Sequence, residues 1–147
     1  MKDSNRKKTT DELMKILKNQ SSYSAYISEN KASMNSSQTL PQMLEQLIAK
    51  NHLTKSQAIK NSQLETHYAY QIFKGTKTPS RDKLIMLCIG CGATVEQTRK
   101  MLIKIKAAPL YPKDKRDSII LFGILHKIPV IDIDILLYEH GFQTLIN

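Results

Sequence analysis

An all-α fold is what this sequence predicts, and three kinds of observation carry the prediction. Thr9 with Glu12, Thr54 with Gln57 and Thr94 with Gln97 each set a hydroxyl three residues before a Glu or Gln. That spacing satisfies two orphan backbone donors reciprocally at a helix start. Apolar residues recur three and four apart, as in Leu13, Ile16 and Leu17 or Leu44, Leu47 and Ile48. Glycines follow the periodic stretches at Gly75, Gly92 and Gly141, where a left-handed residue closes a helix without steric cost.

At 147 residues the chain is long enough for one domain with a real core. Three segments are expected: an N-terminal arm over 1–38, a helix-turn-helix domain over 39–93, and a helical extension over 94–147 packed on it. Residues 1–8 are expected to be disordered. The Thr9–Glu12 box opens a short helix over 9–18. From Gln20 to Gln38 the chain is rich in Ser and Asn, and Tyr23, Tyr26 and Ile27 could dock one further helical turn or two. The arm has two readings. It is a regulatory or partner-binding segment switched by phosphorylation of its hydroxyls, or it is a linker carrying a decorative helix.

Leu40 to Asn51 forms the first helix of the domain. A second begins at Thr54, carries Ala58 and Ile59, and breaks at Asn61-Ser62-Gln63. Leu64 plugs the turn before a third helix from about Glu65 to Lys74, which Gly75 stops. Thr78-Pro79-Ser80 is a second break, with Ser80 as the next N-cap. This is a helix-turn-helix pattern. The Leu53-Thr54 start, Leu64 in the turn, Ile72-x-x-Gly75, Pro79-Ser80, Leu84, Leu87 and Gly92 together resemble the DNA-binding domain of the Cro/C1-type (Xre) repressor family, over about residues 40–95.

The resemblance implies a lambda-repressor-like domain, followed here by two stacked helical hairpins. It also implies that the helix after Leu64 lies in the major groove with its N-terminal residues at base edges. Base-reading candidates are then Thr66, His67 and Gln71, with Tyr70 beside them. Phosphate contacts fall on Lys55, Lys74 and Lys77. The chain departs from the family at Ile59 (usually alanine), Gln63 (usually glycine) and Glu65 (usually serine or threonine). Glu65 complements the helix dipole yet would set a carboxylate toward phosphates.

Beyond Gly92, the Thr94–Gln97 box opens a helix carrying Met101, Leu102 and Ile105, which Ala107–Pro112 forces to break. Two further patterns run from Asp114 to His126 and from Ile131 to His140. Shifted by 35, SRDKLIMLCIGCGATVEQTRKMLIKI overlays KRDSIILFGILHKIPVIDIDILLYEH, setting Arg81 on Arg116, Asp82 on Asp117, Ile85 on Ile120 and Leu102 on Leu137. Stacked helical hairpins are one reading; chance similarity of amphipathic helices is the other. The apolar last hairpin is expected to bury itself first against the preceding one and, second, by dimerisation.

Charge points the same way as the pattern. The net charge is +9, and residues 111–147, with 4 basic and 5 acidic groups, contribute none of the excess. A polyanion-binding surface needs such a distribution, although a solvated surface also carries one. No apolar run approaches the ~20 residues that span a bilayer, and no hydrophobic segment follows MKDSNRKKTT as in a signal peptide. With two cysteines suited to a reducing compartment, a cytoplasmic protein with no membrane partner is expected.

Cys88 and Cys91 have the spacing of half a zinc site but lack a second ligand pair, and they read as core. His52, His126 and His140 have no partner at ligand spacing. No glycine loop, nucleophile–base pair or carboxylate pair stands out, so no metal, cofactor or enzymatic activity is expected. The expected function is sequence-specific binding of double-stranded DNA by a transcriptional regulator. The alternative is a protein-interaction module or regulatory adaptor on the same fold, docking a protein through the aromatic helix or the arm.

Overall fold

The structure, a computed structural model, describes residues 9–19 and 38–146. The expectations for residues 1–8 and for Tyr23, Tyr26 and Ile27 lie outside them. Among the described residues all regular structure is helical, in eight helices. Helix α1 (Thr10–Asn19) begins where Thr9 Oγ1 accepts from Glu12 N–H at 3.2 Å, and it belongs to a unit of its own before Gln38. The second unit holds α2 (Leu40–Lys50), α3 (Lys55–Ser62), α4 (Thr66–Lys74), α5 (Arg81–Gly90), α6 (Val95–Lys104), α7 (Lys115–Leu125) and α8 (Val130–Glu139).

Helix starts in this unit are fixed locally. Complete capping boxes, with both the hydroxyl and the glutamine bonded, stand at Thr54/Gln57 and Thr94/Gln97 as predicted. A third, Thr39/Gln42, opens α2 with Pro41 just inside it and was not read from the sequence. Ser80 caps α5 and Asp114 caps α7.

One core runs from Leu40 to Leu145. Helix α5 sits at its centre: Leu84, Ile85, Met86, Leu87 and Cys88 are consecutive and all buried, which requires neighbours on every side. Its closest neighbour is α3. A Cβ at Gly90 would lie only 2.6 Å from the Ser62 backbone nitrogen and would also strike the Ala58 carbonyl. Helices α2, α4, α6 and α8 complete the surround, each packing against α5 directly or through its neighbours. The predicted burial of the last hairpin is met only in part: Ile120, Ile124, Val130, Ile133 and Leu137 enter this core, whereas Phe122, Leu125, Ile131, Ile135 and Tyr138 stay exposed.

The 35-residue overlay is borne out in atomic detail. Helices α6 and α8 start and end 35 residues apart. Left-handed residues close the first helix of each hairpin at Gly92 and Lys127, and the second at Lys106 and Gly141. The flanking hydrogen bonds repeat as well: Ala93 N–H to Cys88 O matches Ile128 N–H to Gly123 O, and Ala107 N–H to Leu102 O matches Phe142 N–H to Leu137 O. The two hairpins also clasp each other reciprocally. Arg81 bonds both oxygens of Asp117 (3.1 and 2.9 Å), and Arg116 bonds both oxygens of Asp82 (3.2 and 2.9 Å). Each guanidinium also donates through Nε to a carbonyl 27 residues ahead, Ala108 for Arg81 and Gln143 for Arg116. Chance similarity of two amphipathic helices would not produce matched C-terminal turns and crossed ion pairs, although the N-caps differ, Thr94 heading α6 with a capping box and Pro129 heading α8 with no side-chain cap.

Candidate nucleic-acid interface

Helices α3 and α4 are joined by Gln63-Leu64-Glu65. The connection is held from within: Ser62 Oγ donates to Ile59 O at 2.6 Å and accepts from Leu64 N–H at 3.1 Å. Leu64 is buried as the predicted plug. Gln63, at the position where the family it resembles usually has glycine, takes the left-handed conformation itself at φ 64°, so the turn carries a strain that glycine would relieve.

Helix α4 is two-faced. Ala69, Ile72 and Phe73 are buried, and Tyr68 is half-buried. His67, Tyr70, Gln71 and Lys74 stand at i, i+3, i+4 and i+7, which helical winding places on one face. Of these His67, Tyr70 and Lys74 are exposed and Gln71 is half-exposed; Thr66, beside them, is exposed. All four base-reading candidates are thus brought to one surface with one of the predicted lysines.

Glu65 acquires a structural explanation. It is the N-cap of α4, and its carboxylate accepts from the backbone N–H groups of both His67 and Tyr68, the latter at 3.2 Å. A carboxylate at a helix N-terminus is favoured by the dipole as well as by those bonds. The same bonds remove two amides from any role in holding an anion.

The lysines differ in availability. Lys74 closes α4 and Lys77 lies in the following loop, both exposed. Lys55 is engaged: its ammonium pairs with Glu45 at 2.7 Å and lies 5.3 Å from the Phe73 ring centroid. An exposed pair of this kind is worth little, so a phosphate could compete for it. Lys83, which the sequence reading passed over, stands 5.7 Å from the Tyr68 ring centroid. The signal for it was a basic residue three after the Ser80 cap, in the turn of α5 that faces α4.

The other sequence candidates are dispersed. Cys88 and Cys91 are free and buried. Burial, and then the neighbouring thiol, pushes the Cys88 thiol up, while burial and then Glu45 push Cys91 up to about 12. Both are protonated core thiols near neutral pH, with Cys88 Sγ 3.6 Å from Met101 Sδ. His52, His126 and His140 are exposed on separate elements. An open cleft of about 250 Å³ between α2 and α6 is lined by amides, lysines and methionines, including Gln46, Lys50, Gln97 and Lys100. Among the described residues no group of three or more His, Cys, Asp or Glu could hold a metal ion, and no helix is long and apolar enough to cross a membrane. No known protein family, curated protein or solved structure matches the chain.

Proposed function

We propose that this chain is a sequence-specific DNA-binding transcriptional regulator that reads the major groove with α4. The observation carrying the proposal is the outward face of that helix. Thr66, His67, Tyr70 and Gln71 project together from a helix whose opposite face is locked into the core, and Lys74 and Lys77 flank them. Gln71 suits adenine, to which an amide side chain can bond bidentately, and the lysines fix docking on phosphates without reading sequence. The basic excess of residues 1–110 supplies the long-range attraction.

Gln71→Ala and His67→Ala should each relax specificity at one base position at a cost of ~1–3 kcal/mol, while Lys74→Ala or Lys77→Ala should weaken all sequences alike and reduce the salt slope by about one. The proposal fails if the Gln71→Ala, His67→Ala double variant binds every duplex as the unaltered protein does.

A second reading is favoured by one observation. Glu65 sets a carboxylate at the start of the same exposed face, which suits a protein-interaction module better than a phosphate-facing surface. Salt separates the two readings, because counterion release makes DNA affinity fall steeply as salt rises.

A further inference from the structure

We infer that a second copy of this chain docks on the outer face of α8, giving a two-fold homodimer. The duplicated hairpins supply their own control. Helices α6 and α8 hold equivalent positions, and both bury one face, through Met101 and Leu102 in α6 and through Leu137 and Ile133 in α8. Their outward faces differ. Where α6 exposes Glu96 and Lys100, α8 exposes Ile131 and Ile135, and where α6 has Ile103, α8 has Tyr138. A hairpin of this design folds with charges at those positions, so the apolar residues of α8 are not needed for the fold.

The stripe is well defined. Ile131, Ile135 and Tyr138 stand at i, i+4 and i+7 and are 49, 49 and 78% exposed. Ile146, 37% exposed, is held beside α8 because Asp134 accepts from the backbone N–H groups of Leu145 and Ile146 at 2.6 and 2.9 Å. Apolar residues gathered on one exposed helix face mark an interaction site.

Area and charge select the occupant. Half-exposed apolar side chains of this size offer on the order of 100 Å² each, so two copies with their polar rims bury about 1,000 Å², the threshold for a biological interface and the size of a weak one. Two molecules of charge +9 repel most weakly where the cationic excess is missing, and residues 111–147 are that quarter of the chain. The surroundings carry both signs, Lys127 before the helix and Asp132 and Glu139 along it, all exposed. A two-fold arrangement lets each copy offer both signs to the other, with Ile135 nearest the axis and Ile131 and Tyr138 on either side.

The test is sedimentation equilibrium of the full chain without DNA, which keeps the outcome separate from that of the DNA reading. The unaltered protein should pass from monomer to dimer with a Kd on the order of micromolar, as expected for so small an interface. Ile131→Glu with Ile135→Lys installs what α6 carries at the equivalent positions and should weaken association at least tenfold with the helix content unchanged. Ile103→Glu on α6 should leave association alone. In parallel, a dilution series of the unaltered protein followed by amide NMR needs no variant, and its shifts should concentrate in α8. A protein that stays monomeric, a double variant that associates as tightly as the original, assembly beyond a dimer, or dilution shifts confined to other helices would each overturn the inference.

Discussion

Replacing Asp117 by alanine should destabilise the folded chain more than the matching change at Asp82, even though the two residues are equivalent in the repeat. Asp117 accepts two bonds from Arg81 and a third from Tyr111 N–H at 3.0 Å, with only 9% of its side chain exposed. Asp82 accepts two from Arg116 and is 26% exposed. Removing one partner of a fully buried pair costs 3–5 kcal/mol, because the other charge is left uncompensated. Here Arg81 keeps a quarter of its side chain in solvent and still donates to the Ala108 and Pro109 carbonyls, which lowers the cost to about 2 kcal/mol. The orphaned Tyr111 amide adds about 1. Asp117→Ala should therefore cost about 3 kcal/mol and lower Tm by roughly 10 °C for a unit of this size. Asp82→Ala removes a better solvated carboxylate and orphans no amide, while Arg116, 20% exposed, keeps the Gln143 carbonyl, so it should cost about 2 kcal/mol. Urea unfolding followed by circular dichroism measures both, and an Arg81→Ala, Asp117→Ala cycle isolates the coupling. Equal losses at the two aspartates, or no coupling between Arg81 and Asp117, would refute the reasoning.

Other consequences follow from backbone geometry and from the cap of α4. Gly90→Ala should cost about 3 kcal/mol because its Cβ meets the α3 backbone, whereas Gly123→Ala should cost less, about 1–2 kcal/mol, since what it meets is the buried Ile133 side chain, which can shift where backbone cannot; unfolding of the two variants checks the order. Lys127→Gly, at φ 55° and equivalent to Gly92, should raise stability by about 0.5–1 kcal/mol, the left-handed strain relieved less the added freedom of the unfolded chain. A loss of stability there would contradict the assigned conformation. Glu65→Thr keeps a side-chain oxygen at the α4 cap and removes the carboxylate. Under the DNA reading its affinity for duplex should rise roughly fivefold at low salt, about the Coulomb energy of one charge near phosphate in water, and unchanged affinity would count against that reading.

What could be read from the sequence was what is decided within a turn or two. The Thr54/Gln57 and Thr94/Gln97 boxes, the Gly75 stop and the Leu64 plug act over a few residues, so their residue types declare them. The two-faced character of α4 was legible for the same reason: Ala69 and Ile72 mark its inner stripe and fix which residues face out. Other features depend on distant partners. Asn51 donates to the Cys91 carbonyl 40 residues away at 2.8 Å, Lys55 finds Glu45 on another helix, and Gly90 owes its place to the α3 backbone. The overlay paired arginine with arginine and aspartate with aspartate, but their crossing appears only when one hairpin faces the other. Glu65 read as a departure because its charge was visible and the two amides it accepts from were not.

The measurement that tests the central claim most directly is selection from a pool of random duplex DNA with the purified full chain, repeated at low and moderate salt. A regulator that reads bases through Thr66, His67, Tyr70 and Gln71 enriches a motif of a few base pairs that persists at moderate salt, and a two-fold dimer makes that motif palindromic. Absence of any enriched sequence, with binding that vanishes as salt rises or does not occur, would contradict the claim and leave the outer face of α4 to a protein partner.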